Sequence, residues 1–144
     1  LLVDGGKAFV VCWREASQNE WVTLPLAAAA TVLGPEQAVI SPSGVPWPFA
    51  CADQNIFTDI FDAAGWKVFT TPLDGELVIG RGETAVQDAV QYVTQVGPLG
   101  SRLGSLEADK RVAVLDALAL ALKNNMRGEE IRLKTAGWVI TAMA

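Results

Sequence analysis

Residues 7–13, Lys-Ala-Phe-Val-Val-Cys-Trp, entered through Val3-Asp4-Gly5-Gly6, decide how the rest of the chain is read. The two glycines let the backbone turn with positive φ. The unalternating run Ala8, Phe9, Val10, Val11 that follows fits a strand covered on both faces, in the interior of an α/β sheet. Only Leu1 and Leu2 precede the turn, too little for a neighbouring strand. The expectation is therefore that the chain begins partway through a fold, with the strand's other neighbour upstream.

The 144 residues carry 51% hydrophobic side chains, enough for a real core in one domain. A net charge of -5 repels phosphate backbones and anionic membranes, which argues against nucleic-acid and membrane partners. No apolar run reaches the roughly 18 residues needed to span a bilayer, because Asp116 breaks 112–122 and Pro25 breaks 24–33. The start has no basic region leading into an apolar stretch and a cleavage site, so a cytoplasmic location is expected. Cys12 and Cys51 sit among apolar residues and read as buried free thiols, with a disulfide as the alternative. Histidine is absent, which removes Ser-His and Cys-His nucleophilic pairs and, with two cysteines, any ordinary zinc site.

Downstream, Ser17-Gln18-Asn19-Glu20 has the spacing of a capping box and predicts a helix to Leu33, kinked or split at Pro25 and stopped by Gly34-Pro35. Residues 34–48 carry few helix or strand signals, and 41–48 in particular reads as an ordered loop; Trp47, Phe49 and Trp13 either line a pocket there or pin the loop to the core. Asp53 caps a helix with an apolar stripe of Ile56, Phe57, Ile60, Phe61 and Ala64, closed by Gly65. Asp53, Asp59 and Asp62 are explained by capping and a solvated face; an acid/base pair would need one of them buried.

A strand at 66–73 is followed by Asp74-Gly75, which can turn it into a further extended run, 76–80. Gly80-Arg81-Gly82 is turn chemistry, since a lone G-x-G lacks the strand-to-helix fingerprint of a phosphate loop. Helices are predicted over 84–96 and 106–123, with a break at Gly97-Pro98-Leu99-Gly100. The second carries apolar residues around a wide arc, to be covered by the domain or by a second subunit. A polar loop at 124–130 leads through Ile131-Arg132-Leu133 into a last strand, 136–142, whose apolar composition suits a sheet interior.

The order Gly5-Gly6, strand 7–13, Trp13-Arg14, Asn19-Glu20-Trp21, Pro48-Phe49-Ala50, Asp53 and Ala63-Ala64-Gly65-Trp66 resembles the C-terminal half of class I S-adenosylmethionine-dependent methyltransferases of the small-molecule branch. The likeness continues through Val96-Gly97-Pro98-Leu99 to the last strand, and so covers nearly all of the chain. It implies an α/β fold with a partial Rossmann-like sheet. Residues 7–13, 67–73 and 136–142 would be the family's fifth, sixth and seventh strands, the last one antiparallel and wedged between the others. Residues 53–64 would be the crossover helix of this single domain, and helical insertions at 17–52 and 84–130 would close over the acceptor.

In that family the cofactor is held by a glycine-rich turn after the first strand and an acidic residue ending the second. Both would lie upstream of Leu1, so no cofactor-binding residue is assigned and the chain alone binds no cofactor. The candidate substrate pocket is Trp13, Arg14, Trp21, Trp47, Phe49, Phe57 and Tyr92, or else these aromatics are core. The function implied is a truncated methyltransferase-like protein, inactive alone. The alternative is a dimeric binding or interaction module with a site for a small apolar ligand. Cutting the sheet beside strand 7–13 exposes an apolar edge, which predicts a homodimer through that edge and helix 106–123.

Overall fold

The computed structural model describes residues 5–38 and 48–144, in which strands and helices are mixed along the chain. The elements run β1 (Lys7–Trp13), α1 (Glu20–Leu33), α2 (Gln54–Ala63), β2 (Lys67–Arg81), α3 (Ala85–Val96), α4 (Leu99–Leu103), α5 (Ala108–Lys123), β3 (Met126–Arg127) and β4 (Glu130–Met143). They form a sheet in the order β1-β4-β2, with β3 hairpinned onto β4. β4 is antiparallel to β1, pairing Phe9 with Thr141, Val11 with Val139 and Trp13 with Gly137. Against β2 it also runs in opposition: Gly82, just past the end of β2, donates to Glu129 O at 2.8 Å, whereas Gly137 lies against Leu73. The central strand is thus the last in the chain, reversed between two strands that run the same way.

The residues group into two compact units that share β2 and β4. The first comprises Leu1–Gln18, Pro42–Gly75 and Ala136–Ala144, hence β1, α2, the first half of β2 and the last part of β4. The second comprises Asn19–Ser41 and Glu76–Thr135, which contains α1, α3, α4 and α5 and falls largely within the two expected insertions.

Most of the buried apolar side chains belong to the second unit. On α5, Val114, Leu118 and Leu122 recur at i, i+4 and i+8 and are fully buried. They share the core with Val22 and Leu26 of α1, Val93 of α3, Leu99 of α4 and Ile131 and Leu133 of β4. Beside it on β2, β3 and β4 lies a chain of alternating charge: Arg127 to Glu76, Glu76 to Arg132, Arg132 to Glu130 and Glu130 to Arg81. Among the described residues of the first unit, the large buried apolar side chains are Phe49 and Ile140, beside Ala16, Ala136 and Ala142.

Several expectations are corrected. Strand β1 is not covered on both faces: Phe9 and Val11 are 68% and 67% exposed, while Ala8, Val10 and Cys12 on the other face are half-buried. Asp74-Gly75 makes no turn, because β4 continues past them and offers ladder partners along all of β2. The polar stretch after α5 is not a loop but the β3–β4 hairpin, its turn made by Gly128 at φ 62°. Helix α1 begins at Glu20 with Asn19 as its N-cap, and the Ser17 hydroxyl bonds Glu15 instead of the helix end. Pro25 neither splits nor ends α1, and it is buried. The stripe on α2 is only partly used: Phe57 and Phe61 are half-buried, while Ile56 and Ile60 are 39% and 59% exposed. Nor is the arc of α5 covered throughout, since Val112 and Leu120 are 58% and 61% exposed.

Elsewhere the local signals act as read. The Asp53 side chain accepts from Asn55 N–H at 2.9 Å and caps α2, and Gly65 follows the helix at φ 80°. The break expected over 97–100 holds only at Gly97-Pro98, because Leu99 and Gly100 open a short helix, α4, that was not expected.

Candidate functional site

The first unit contains a cleft of about 430 Å³ at the carboxyl end of β1, lined by Arg14, Glu15, Gln18, Ala52, Asp53, Gln54 and Trp138. Its position follows from the ladder. Arg14 is the first residue past β1, its N–H still donating to Ala136 O at 3.0 Å, and Trp138 stands on β4 opposite Cys12. The Trp138 indole N–H donates to Ala52 O at 2.9 Å, which fixes the segment leading into α2 against the sheet. That segment brings Asp53 and Gln54, the N-cap and first residue of α2, to the rim.

Charge in the cleft is mixed. The Arg14 guanidinium lies over the Trp138 ring, 4.9 Å from its centre, and pairs with Asp74 at 2.7 Å. Glu15 and Asp53 add two carboxylates, so the lining carries one cation against two anions, with Gln18 and Gln54 supplying amides. Such a set hydrogen-bonds a small polar molecule bearing hydroxyl or amino groups in preference to an anion. Beneath the cleft, the Cys12 thiol points at Cys51 O, 3.4 Å away. Burial pushes the Cys12 thiol up from its ordinary range, and the neighbouring Cys51 adds to the shift. Both cysteines are free thiols. Among the described residues no group of three His, Cys, Asp or Glu could hold a metal ion.

The second unit carries a shallower and more apolar groove of about 390 Å³, formed by Val86, Gln87, Val90 and Gln91 of α3 with Leu115, Asp116 and Ala119 of α5.

Of the described aromatic and basic residues put forward for a substrate pocket, Arg14 lines the cleft, as does the helix-capping Asp53. Trp13 ends β1 opposite Gly137, Phe49 is buried in the first unit, and Phe57 stacks on Phe61 along α2, ring centres 6.4 Å apart. Trp21 is buried on α1 and Tyr92 is half-buried on α3, both in the second unit. Burial also pushes the Tyr92 phenol up. Trp47 lies outside the described residues, as does most of the 34–48 loop.

Sequence reasoning missed Trp138, which looked like one more apolar residue of a buried strand. Its role depends on sitting opposite Cys12, a register that no local pattern announces. Gln18, Ala52 and Gln54 carried no signal at all. The Gly80-Arg81-Gly82 stretch is not the expected turn: Gly80 and Arg81 are the last two residues of β2, and Gly82 leads on towards α3. It nevertheless makes no phosphate cradle, because the Gly82 N–H is spent on Glu129 O and Glu83 and Asp88 place carboxylates in the turns that follow. No protein-family profile matches the chain, and no curated protein matches it.

Proposed function

We propose that this chain is the substrate-side half of a class I S-adenosylmethionine-dependent methyltransferase acting on a small molecule, and that it works in the cytoplasm only together with a cofactor-binding half. The observation that carries this reading is the placement of β4, the last strand, antiparallel between β1 and β2, in the order the resemblance implies for the family's fifth, seventh and sixth strands. The cleft supports it further. It opens at the carboxyl end of β1, and its carboxylates and amides suit a polar acceptor.

The described residues do not fit the cofactor itself, since they offer neither a glycine-rich turn with free N–H groups nor an acidic residue at the end of a neighbouring strand. No step of methyl transfer is therefore assigned to them. Their part is to bind and orient the acceptor, which is most of what alignment with a sulfonium methyl demands.

A second reading, a dimeric binding or interaction module, draws on the apolar groove between α3 and α5 as a site for a small apolar ligand, and on the outer edge of β1 with the exposed Val112 and Leu120 of α5 as dimer contacts. Two measurements separate the readings. Calorimetric titration with S-adenosylmethionine gives no uptake by this chain alone on the first reading, and micromolar binding overturns the assignment of the cofactor site elsewhere. The genomic frame ahead of Leu1 encodes a glycine-rich βαβ half on the first reading; an initiation codon with no such half ahead of it decides for the second.

A further inference from the structure

Among the described residues of the first unit, exposed large apolar side chains outnumber buried ones. Phe9 and Val11 on β1, Ile56 and Ile60 on α2, and Phe69 and Leu73 on β2 are all exposed, against Phe49 and Ile140 buried. Four of the exposed residues share one face of the sheet. Phe9 and Val11 stand opposite Thr141 and Val139, and paired residues of an antiparallel ladder project to the same side. A Cβ added at Gly137, the partner of Trp13, would lie 3.9 Å from Leu73 Cβ, which puts Leu73 on that side too, and alternation adds Phe69. Fractional exposures of 68%, 67%, 56% and 49% for Phe9, Val11, Phe69 and Leu73 leave on the order of 500 Å² of contiguous apolar surface.

We infer that this face is the contact for a second copy of the chain, packed sheet against sheet about a two-fold axis. The inference deepens the dimer considered above by moving its contact from the β1 edge and α5 to the face beside that edge. Area argues for it: each side of a stable interface covers about 800 Å², of which somewhat over half is apolar, and the four side chains supply that apolar share. Sheet geometry allows it as well, because twisted sheets pack face to face about 10 Å apart with side chains interleaved.

The charges fix the orientation. Lys7 and Lys67 are exposed two residues ahead of Phe9 and Phe69, so both stand at one end of the patch. A two-fold axis lying across the strands sends the lysine ends of the two copies to opposite ends of the interface. An axis along the strands would stack all four together. Edge pairing alone would leave the apolar face in water, so it cannot be the whole contact.

The test is the molar mass in solution, by light scattering and sedimentation at micromolar concentration, of the chain and of Phe9→Asp, Phe69→Asp and Leu120→Asp. The expected result is twice 15.3 kDa for the parent and for Leu120→Asp. Each phenylalanine variant should weaken the dimer about tenfold or more, with an unchanged circular dichroism spectrum because both positions are exposed. Added salt should leave the parent dimer intact or tighten it, since the contact is apolar and the net charge is repulsive. A monomeric parent overturns the inference. So does a dimer that Leu120→Asp dissociates while the phenylalanine variants do not, or one that no variant affects. The cofactor titration is read on the same samples, so either result leaves the methyltransferase reading to its own test.

Discussion

Arg14 lays its guanidinium 4.9 Å from the centre of the Trp138 ring while its Nη1 donates to Asp74 at 2.7 Å, so one side chain joins the end of β1 to its neighbour β4 and to β2 beyond it. Removing different parts of this assembly should have different costs. Trp138→Phe keeps a ring beneath Arg14 but strands the Ala52 carbonyl, for a loss of about 1 kcal/mol. Arg14→Ala removes stacking and ion pair together, for about 1–2 kcal/mol. Arg14→Lys should recover less than half of that, because an ammonium matches neither the ring face nor the carboxylate fork. Urea unfolding followed by circular dichroism measures all three.

Gly80 and Gly137 both lie close to other backbone, to different degrees. A Cβ at Gly80 would stand 1.9 Å from Ala85 O, and one at Gly137 would stand 3.1 Å from Cys12 O. Gly80→Ala should cost upwards of about 3 kcal/mol or rebuild the passage from β2 into α3. Gly137→Ala, where small shifts suffice, should cost about 1–2 kcal/mol. Equal losses at the two positions would contradict this packing.

On α5 two leucines one half-turn apart should behave in opposite ways. Leu118 is fully buried and Leu120 is 61% exposed. Leu118→Ala should lose about 2–5 kcal/mol, and Leu120→Ala should stay within about 0.5 kcal/mol. Thermal unfolding of the two variants side by side checks the assignment of the helix face.

Burial raises both the Cys12 thiol and the Tyr92 phenol above their ordinary ranges, so each holds its proton more tightly folded than unfolded. Stability from these groups is complete below the unfolded values. It drains away as pH climbs from about 9 through the raised folded values. Denaturation midpoints recorded between neutral pH and pH 11 should therefore fall on the alkaline side, and Cys12→Ser should flatten the first part of the fall. In the native state Cys12 should also react more slowly with iodoacetamide at mildly alkaline pH than it does in urea.

The helices were the most legible part of the chain. Caps and stops act through neighbours in sequence, which is why Asp53 and Gly65 bound α2 and Gly97-Pro98 divides α3 from α4 as their chemistry demands. Where a local preference met a long ladder it lost. Asp74-Gly75 favours a turn, yet β4 runs on beside β2 and its hydrogen bonds outweigh that preference. The site was far less legible. Arg14 was marked by its place after a strand, but Trp138 and Gln54 reach the same cleft only through strand register and the approach to α2.

What the amino-acid order determined by itself was the set of elements: the apolar run of β1, the capped α2, the amphipathic α3, and a last strand apolar enough for a central place. These are properties of a few adjacent residues and their backbone preferences. Tertiary structure alone decided which side of β1 is left open. The run Ala8-Phe9-Val10-Val11 is apolar on both faces, so nothing in it distinguishes them. The asymmetry appears only when the segment before α2 is tied to Trp138 on the Val10 and Cys12 side, leaving Phe9 and Val11 without cover from the rest of their unit.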